Sequence, residues 1–337
     1  MEPTDGRRRA LREVRPDETT NLGLWLDRFL SQKEDAGVRA PREEDLTRIK
    51  VPAAYERAVV RREEALRACD GGFVGGVTRC WTAKVEGRLI VGLGAASVRE
   101  TGISLVRTWG VPLVPGSALK GVAAAMARRS GDEAWQDGGD AHHTLFGDPQ
   151  RGGCVVFHDA WWIPRGAQLP LQLDVLTVHH RDYYGGGDSG PCDWDEPVPV
   201  PFVTATGEYL VALTGPERWV EAAGALLSSA LTELGVGAKT AAGYGRMKLE
   251  RRRTKADVDR EQAAESLRSL PGRLKGPQNM SQIVAELETA QVKGAHPDDL
   301  REAVRGLWRS NAKTVKQWLA KADRTDAQRA LLDRPKD

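Results

Sequence analysis

A glycine-rich stretch in the last third of the chain places the strongest constraint on its fold. Residues 235–247 read Gly-Val-Gly-Ala-Lys-Thr-Ala-Ala-Gly-Tyr-Gly-Arg-Met. Glycine loses more chain entropy on folding than any other residue, so such a cluster indicates backbone that turns sharply or closely approaches a ligand. Successive N–H groups in such a loop can form a concave anion site, to which a nearby cation adds. The stretch is therefore predicted to bind phosphate, with the candidate residues Gly237, Lys239, Thr240, Gly243, Tyr244, Gly245 and Arg246.

A nucleotide P-loop is the main alternative for this stretch, but its pattern is not met. A P-loop requires GxxxxGK[ST] between a strand and a helix. Here Ala238 stands before Lys239, and the preceding segment has the periodicity of a helix. Gly243 and Gly245 would also interrupt a following helix. ATP binding is therefore not expected, and a glycine C-cap between a helix and a strand explains Gly235 alone but not the whole run.

A second stretch, Val-Pro-Gly-Ser-Ala-Leu-Lys-Gly at residues 114–121, predicts another anion site. Apolar residues recur after it with helical spacing, which predicts a helix that begins near Ser117, with Ser117 as its cap. A helix N-terminus after a Pro-Gly turn presents unpaired N–H groups and the positive end of the helix dipole. Ser117, Lys120 and Gly121 are the candidate residues here.

The order of the predicted elements indicates an α+β fold with helices on one side of a sheet. The strands and helices interleave around turns, which is compatible with a split βαβ, ferredoxin-like core. The predicted elements are N-terminal helices up to about residue 68, strands at 77–85 and 89–93 with Glu86-Gly87 as a hairpin turn, the helix from Ser117, strands near 154–157 and 171–178, strands at 202–203 and 209–213 around Thr206-Gly207, a helix over 219–234 and a strand from Arg246.

The last part of the chain, from Lys255, is predicted to form four or five short charged helices that pack as a small bundle. Its mixed charge favours docking against the main domain or another protein over direct binding to a polyanion. The sequence thus predicts a helical N-terminal segment at 1–70, an α+β domain with both candidate anion sites at 71–253 and a helical extension at 254–337.

Composition narrows the classes of function. Lysine and arginine total 49 against 47 aspartate and glutamate, so any contact with a polyanion must be local. The four cysteines show no CxxC pairing, and neither a zinc site, a disulfide framework nor a cofactor is expected. The chain has no apolar run of the length that a membrane span needs, which predicts a cytoplasmic protein without membrane contact.

The histidine pairs raise a catalytic alternative. His179 and His180, with Asp182 beside them, could carry acid–base or metal chemistry on RNA, as could the pairs His142-His143 and His158-Asp159. Adjacent residues on a strand point to opposite faces, so neighbouring histidines rarely share one ligand. A structural or RNA-contact role is therefore favoured for His179 and His180.

Several motifs resemble a known family. PGSALKG resembles the PGSSLKG motif of the RAMP superfamily of CRISPR RNA-binding proteins, apart from Ala118 in place of serine, and GVGAKTAAGYG resembles its C-terminal glycine-rich loop. The order of the remaining motifs over residues 21–252 is similar to that of the family of subunit six in type III-B Cmr effector complexes. These motifs are Gly92-Leu-Gly94, Leu145-Phe-Gly147, Phe157-His-Asp-Ala160, Asp174 to His180, Asp182-Tyr-Tyr184 and Pro197 to Phe202.

The resemblance implies an RRM-like, ferredoxin-like fold and a non-catalytic subunit of an antiviral ribonucleoprotein. It implies binding to CRISPR guide RNA (crRNA) and its duplex with target RNA. The implied protein partners are the repeated backbone RAMP subunit, the small helical subunit and the terminal RAMP subunit one. In this family an inserted thumb often wedges into the duplex, which implies a thumb at either 130–153 or 184–201, with a mobile surface loop as the alternative. The alternative is a RAMP endoribonuclease that uses His179, His180 and Asp182.

Overall fold

The computed structural model describes residues 14–28, 46, 49–68, 76–94, 102–166, 168–178, 186, 190, 192, 198–253, 255–295, 297–321 and 325–333. The chain divides into two compact units, Met1–Arg252 and Arg253–Asp337. The first combines helices with a sheet and the second is helical. Within the described ranges, no helix is both long and apolar enough to span a bilayer.

The first unit contains five helices and nine strands in its described part. Its helices are α1 (Leu22–Arg28), α2 (Ala53–Ala68), α3 (Gly116–Arg128), α4 (Asp140–Phe146) and α5 (Glu217–Glu233). Its strands are β1 (Val77–Val85), β2 (Leu105–Val106), β3 (Val111–Val114), β4 (Val156–Phe157), β5 (Ala160–Ile163), β6 (Leu171–Val178), β7 (Val198–Ala205), β8 (Glu208–Gly215) and β9 (Met247–Arg252).

The main sheet has the strand order of a ferredoxin-like core. Its order is β2-β3-β5-β8-β1-β9, with β4 also paired to β8. Four strands, β1, β5, β8 and β9, alternate with the helices α3 and α5 in the pattern βαββαβ. These four strands are antiparallel to their neighbours in the sheet. Numbered in chain order, they stand as 4-1-3-2, which confirms the predicted α+β class with a split βαβ core.

The pairing of β1 corrects the predicted hairpin. Val77 pairs with Gly215 and Val85 with Met247, so β1 lies between β8 and β9 instead of pairing with residues 89–93. Leu89 forms an isolated bridge to Ala205. The segments around Thr206-Gly207 likewise belong to different sheets. A period-two pattern predicts that a segment is extended, but the partner is chosen by packing of the whole core.

Helices cover both faces of the sheet, so the prediction of helices on one side is wrong. A Cβ atom on Gly224 of α5 would lie 2.7 Å from the ring of Trp81, which places Trp81 on the α5 face. Its neighbour Thr82 points to the opposite face, where its hydroxyl accepts from Arg252 at 3.1 Å. Arg252 in turn pairs with Glu63 of α2 at 2.8 Å. The N-terminal helices and the sheet therefore share one core.

The two inserted stretches differ in structure. Residues 130–153 contain a 3-10 turn, Glu133–Trp135, and α4, whose Leu145 and Phe146 are buried in the main core. By contrast, β6 and β7 form a separate two-stranded ribbon, in register from Leu171 opposite Ala205 to Val178 opposite Val198. Most residues that join these two strands lie outside the described ranges.

The second unit has its own hydrophobic core. Its described helices are α6 (Lys255–Arg273), α7 (Met280–Val292), α8 (Pro297–Leu319) and α9 (Asp326–Leu331). Leu270, Leu287, Leu307 and Trp318 are among its buried residues. Helix α8 is kinked at Asn311, whose side-chain amide donates to the carbonyl of Leu274 at 3.1 Å.

Candidate functional site

The glycine-rich loop between α5 and β9 adopts backbone angles that explain its composition. Gly235, Gly237, Gly243 and Gly245 have φ values of 75°, 92°, 90° and 75°. Lys239 has φ 58° and is the one non-glycine residue with positive φ in the described part of the chain. Side chains other than glycine rarely adopt this region. The left-handed Lys239 opens a short 3-10 turn, Thr240–Ala242.

The base of the loop is fixed to the chain that leaves β1. The amide of Ala238 donates to the carbonyl of Ile90, and that of Gly245 to the carbonyl of Arg88, both at 2.8 Å. A Cβ atom on Gly237 would lie 2.1 Å from the Ile90 oxygen, and one on Gly245 would lie 2.0 Å from the Val236 oxygen. These two glycines are therefore required by contacts within the protein, before any ligand is considered.

The tip of the loop, by contrast, faces solvent. Gly243 is exposed, and a Cβ atom there would have no atom within 4 Å. Among the described residues, the amides of Lys239, Thr240 and Ala241 have no hydrogen-bond acceptor, and the Lys239 ammonium has no ion-pair partner. Successive N–H groups at a left-handed residue followed by a helical turn are the groups from which backbone anion sites are built, and Lys239 adds a cation to them.

Arg246 has a role that the sequence did not indicate. Its Nη1 atom donates to the carbonyl of Thr232 at 2.7 Å, in the last turn of α5. A cation at a helix C-terminus satisfies a carbonyl that lacks an intrahelical partner and opposes the negative end of the helix dipole. Arg246 therefore secures the loop against α5, and its contact with phosphate stays a prediction.

A hydrogen-bonded joint connects the loop to the β6–β7 ribbon. The hydroxyl of Tyr244 donates to Asp174 Oδ2 at 2.9 Å, and Arg88 Nε lies 3.6 Å from the same oxygen. Arg88 Nη1 also donates to the carbonyl of Leu173 at 2.7 Å. Burial raises the pKa of Tyr244, and the bond to Asp174 raises it further, so the phenol stays protonated as a donor. Arg88 and Asp174 were not predicted as a site, because a single charged residue carries no sequence signal of a partner that is distant in the chain.

The joint predicts a measurable coupling. We expect Tyr244→Phe and Asp174→Asn each to lower the free energy of unfolding by about 1–2 kcal/mol, since each removes or weakens a hydrogen bond to a charged group. The double variant should be less destabilised than the sum of the two by about 1 kcal/mol, as residues in direct contact are. Urea unfolding of the four proteins measures this difference, and strict additivity would contradict the bond.

The PGSALKG stretch forms the start of α3, but its end is already capped. The helix begins at Gly116 with Pro115 as its N-cap, and Ser117 makes no capping hydrogen bond, so the predicted Ser117 cap is wrong. The amide of Gly116 donates instead to Asp159 Oδ1 at 2.8 Å. A Cβ atom on Gly116 would lie 2.0 Å from the carbonyl oxygen of Phe157. The protein's own carboxylate thus occupies the helix end that the sequence predicted for an external anion.

The outward surface of this helix remains available. Ser117 and Gly121 are exposed, Lys120 is half-buried, and Lys120 has no ion-pair partner among the residues described. Asp159, which caps α3, directly precedes β5, and the glycine-rich loop directly precedes β9. Two strands, β8 and β1, lie between β5 and β9 in the sheet. At about 4.8 Å per strand, β5 and β9 are about 14 Å apart across the sheet, so the two stretches form two contact points and not one pocket.

The described histidines have structural surroundings. His142 is buried in α4 with its ring 5.0 Å from that of Phe146, and His158 Nε2 lies 2.9 Å from Thr214 Oγ1. Burial lowers the pKa of both. His179 and His180 lie outside the described residues, as does Asp182. Within the described ranges, no group of three His, Cys, Asp or Glu side chains could hold a metal ion.

The surroundings of His158 predict a pH dependence. Burial lowers its pKa and the Arg62 guanidinium lowers it further, while Asp159 acts in the opposite direction. The unfolded chain therefore binds a proton more readily than the folded protein does. The stability contributed by the neutral imidazole is complete above the unfolded pKa of about 6.5 and is lost as the pH falls below it. Urea unfolding at pH 7.5 and 5.5 should show a smaller loss in His158→Gln than in the wild type, and equal losses would contradict this account.

A ferredoxin-like core with a glycine-rich loop before its last strand defines the class of this protein. The model of the RAMP superfamily matches residues 82–248. The chain belongs to the RAMP superfamily.

The chain is also similar to individual proteins. The CRISPR system Cmr subunit Cmr6 of Pyrococcus furiosus is 32% identical over 225 residues, which cover 49% of this chain and 66% of that relative. The crystal structure of Cmr6 from Pyrococcus furiosus is 32% identical, with coverage of 52% and 99% of the two chains and a TM-score of 0.35. A chain of the cryo-EM structure of the Type III-B Cmr-beta bound to cognate target RNA is 19% identical, with coverage of 63% and 70% and a TM-score of 0.47.

Proposed function

We propose that this chain is a non-catalytic RAMP subunit of a type III-B Cmr CRISPR effector complex. In this proposal it binds the phosphate backbone of the guide RNA through its glycine-rich loop and helps to assemble the filament. Its 32% identity to Cmr6 of Pyrococcus furiosus over 49% of the chain supports the choice of complex. The implied setting is a cytoplasmic antiviral ribonucleoprotein, with the backbone RAMP subunit, the small helical subunit and the terminal RAMP subunit one as neighbours.

The observation that carries the proposal is the tip of the glycine-rich loop. The amides of Lys239, Thr240 and Ala241 have no acceptor in the described structure, and the Lys239 ammonium has no ion-pair partner there. Phosphate oxygens would satisfy these donors and neutralise the cation at the same time. Contacts of this kind position a nucleic acid without reading its bases. Sequence recognition would then belong to pairing between guide and target.

The β6–β7 ribbon is the part of the chain that we propose as the thumb. It leaves the main sheet as a separate two-stranded element, whereas residues 130–153 pack into the core. The joint of Tyr244, Asp174 and Arg88 fixes its base to the glycine-rich loop. A ribbon held in this way would meet the same RNA that the loop grips. His179 and His180 follow β6 directly and are proposed as RNA contacts.

The salt dependence of RNA binding tests the phosphate assignment. Lys239→Ala should weaken the binding of all single-stranded guides alike and lower the magnitude of the salt slope by about 0.7, the value for one lost phosphate contact. Lys248→Ala is the control, because Lys248 is an exposed lysine on β9 outside the loop, with its ammonium 3.9 Å from Glu250. Affinity is measured for several guides across a salt series. An unchanged slope, or a loss confined to one guide, would contradict a phosphate contact.

Analysis of the RNA after the binding experiment distinguishes a binding subunit from a nuclease. Labelled RNA incubated with the protein, with and without a chelator, should be bound and recovered uncut. Cutting that disappears when His179, His180 and Asp182 are replaced together by alanine would instead support the endoribonuclease alternative. The two readouts are independent, because binding is scored by affinity and catalysis by the length of the recovered RNA.

A further inference from the structure

The positive charge of this protein is concentrated in its second unit. Residues 253–337 contain 17 lysines and arginines against 13 aspartates and glutamates, whereas residues 1–252 contain 32 against 34. The unit that carries the glycine-rich loop is therefore slightly acidic, and the helical unit is basic. The overall near-neutrality of the chain conceals this division.

Within the second unit, the charges are further separated along α8. The start of this helix holds Asp298, Asp299 and Glu302. Residues 303–322, in contrast, contain no acidic residue. The cations of this segment are Arg305, Arg309, Lys313, Lys316 and Lys321.

Packing turns most of these cations toward solvent. The buried side of α8 is formed by Val304, Leu307, Val315 and Trp318, among others. Arg309, Lys313, Lys316 and Lys321 are all exposed. The bond from Asn311 to the Leu274 carbonyl brings the chain end of α6 to the kink, and the exposed Lys275 follows Leu274 directly. We refer to Lys275, Arg309, Lys313, Lys316 and Lys321 as the basic surface.

The basic surface has no acidic partners in the described part of the unit. Glu286 pairs with Arg273 at 2.7 Å, and Asp298 pairs with Arg301 at 3.3 Å, so these carboxylates are engaged elsewhere. No ion pair involves any member of the basic surface among the residues described. Cations that are not neutralised within the fold are free to neutralise an external polyanion.

From this arrangement we infer that the basic surface is a second RNA-binding site, which contacts the phosphate backbone independently of the glycine-rich loop. Backbone binding requires only well-placed cations, since each neutralised phosphate releases counterions. A protein partner would require a buried aromatic or aliphatic anchor as well. The tryptophans nearby do not offer one, because Trp318 is buried and the indole of Trp308 donates to the Leu332 carbonyl at 3.0 Å. The mixed charge of the whole helical extension predicted docking rather than RNA binding. Along α8, however, the acidic residues lie at the start and the cations follow them, so the overall composition does not describe the local charge.

Charge reversal in the full-length protein tests this inference. The variant Lys313→Glu/Lys316→Glu should bind a fluorescent oligouridine at least about 25-fold more weakly at 0.1 M salt, with a salt slope lower in magnitude by about 1.4, as expected when two single-strand phosphate contacts are lost. The matched control, Lys248→Glu/Lys293→Glu, changes the net charge equally at exposed positions outside the basic surface. We expect the control to bind nearly as the wild type does.

Two further measurements make the outcome specific. The loss of RNA affinity should also appear when Lys239 is already replaced by alanine, because the two surfaces bind RNA separately. A loss of affinity seen only with an intact glycine-rich loop would show that the two sites are not independent. Thermal unfolding of each variant confirms that it is folded. Unchanged RNA affinity in the charge-reversed variant, an equal loss in the control, or competition by polyglutamate as effective as that by unlabelled oligouridine would overturn the inference.

Discussion

Gly245→Val is expected to lower the free energy of unfolding by about 4 kcal/mol, which is exceptional for a single substitution. Gly245 has φ 75°, where a β-branched side chain is strained, and its Cβ atom would lie 2.0 Å from the carbonyl oxygen of Val236. That carbonyl belongs to the backbone of the same loop, and Val236 is held in place by the hydrogen bond from its amide to the Gly245 carbonyl. Urea unfolding followed by circular dichroism measures the loss.

Gly243→Val separates this steric effect from the effect of positive φ. Gly243 has φ 90°, but a Cβ atom there meets no atom within 4 Å. The cost should therefore be limited to backbone strain of about 1–2 kcal/mol. Because Gly243 lies at the exposed tip, this variant should stay folded and lose RNA affinity. Equal destabilisation by the two substitutions would show that the clash at Gly245 is relieved by movement of the loop.

The second large effect is expected at Arg79, a buried cation on β1. Its side chain is only 7% exposed and pairs with Glu217 and, at 3.7 Å, with Glu221 on α5. Glu217→Gln combined with Glu221→Gln would leave this guanidinium buried without a counterion. Removing the partners of a buried charge costs about 3–5 kcal/mol. We expect a loss of stability within this range by urea unfolding at neutral pH.

Arg79→Met provides the contrasting measurement. The Nε and Nη1 atoms of Arg79 are buried without a hydrogen-bond partner, so the ion pair only partly repays its own desolvation. A methionine of similar length removes that cost and leaves two glutamates that can be hydrated, since each is at least 40% exposed. The substitution should be neutral or stabilising, as replacements of buried ion pairs often are. A loss as large as that of the double glutamine variant would contradict this account.

Local sequence patterns were sufficient to predict most of the secondary structure of the first unit. Helical periodicity predicted α3 and α5, and the glycine cluster predicted a sharply turning loop before β9. The reason is that helix spacing and the conformational freedom of glycine are properties of a few neighbouring residues. The predicted candidates Gly237, Lys239 and Gly243 accordingly lie together in one loop, although their contact with RNA remains a proposal.

Tertiary structure alone decided which segments are partners. Strand β1 pairs with β8, as Val77 with Gly215, and not with the segment that follows it in the sequence. Asp159 caps α3 in place of Ser117, and Arg246 binds the end of α5. Each of these contacts joins residues at least 14 positions apart in the sequence. The choice between them depends on which arrangement buries the core and satisfies every backbone donor at once.

The same division holds for charge. The sequence by itself determined that cations and acids are nearly balanced and that the RAMP motifs lie in the first unit. The folded second unit decided that Lys313 and Lys316 are exposed without ion-pair partners among the residues described. Composition counts charges regardless of position, whereas binding depends on the few that the fold exposes without ion-pair partners.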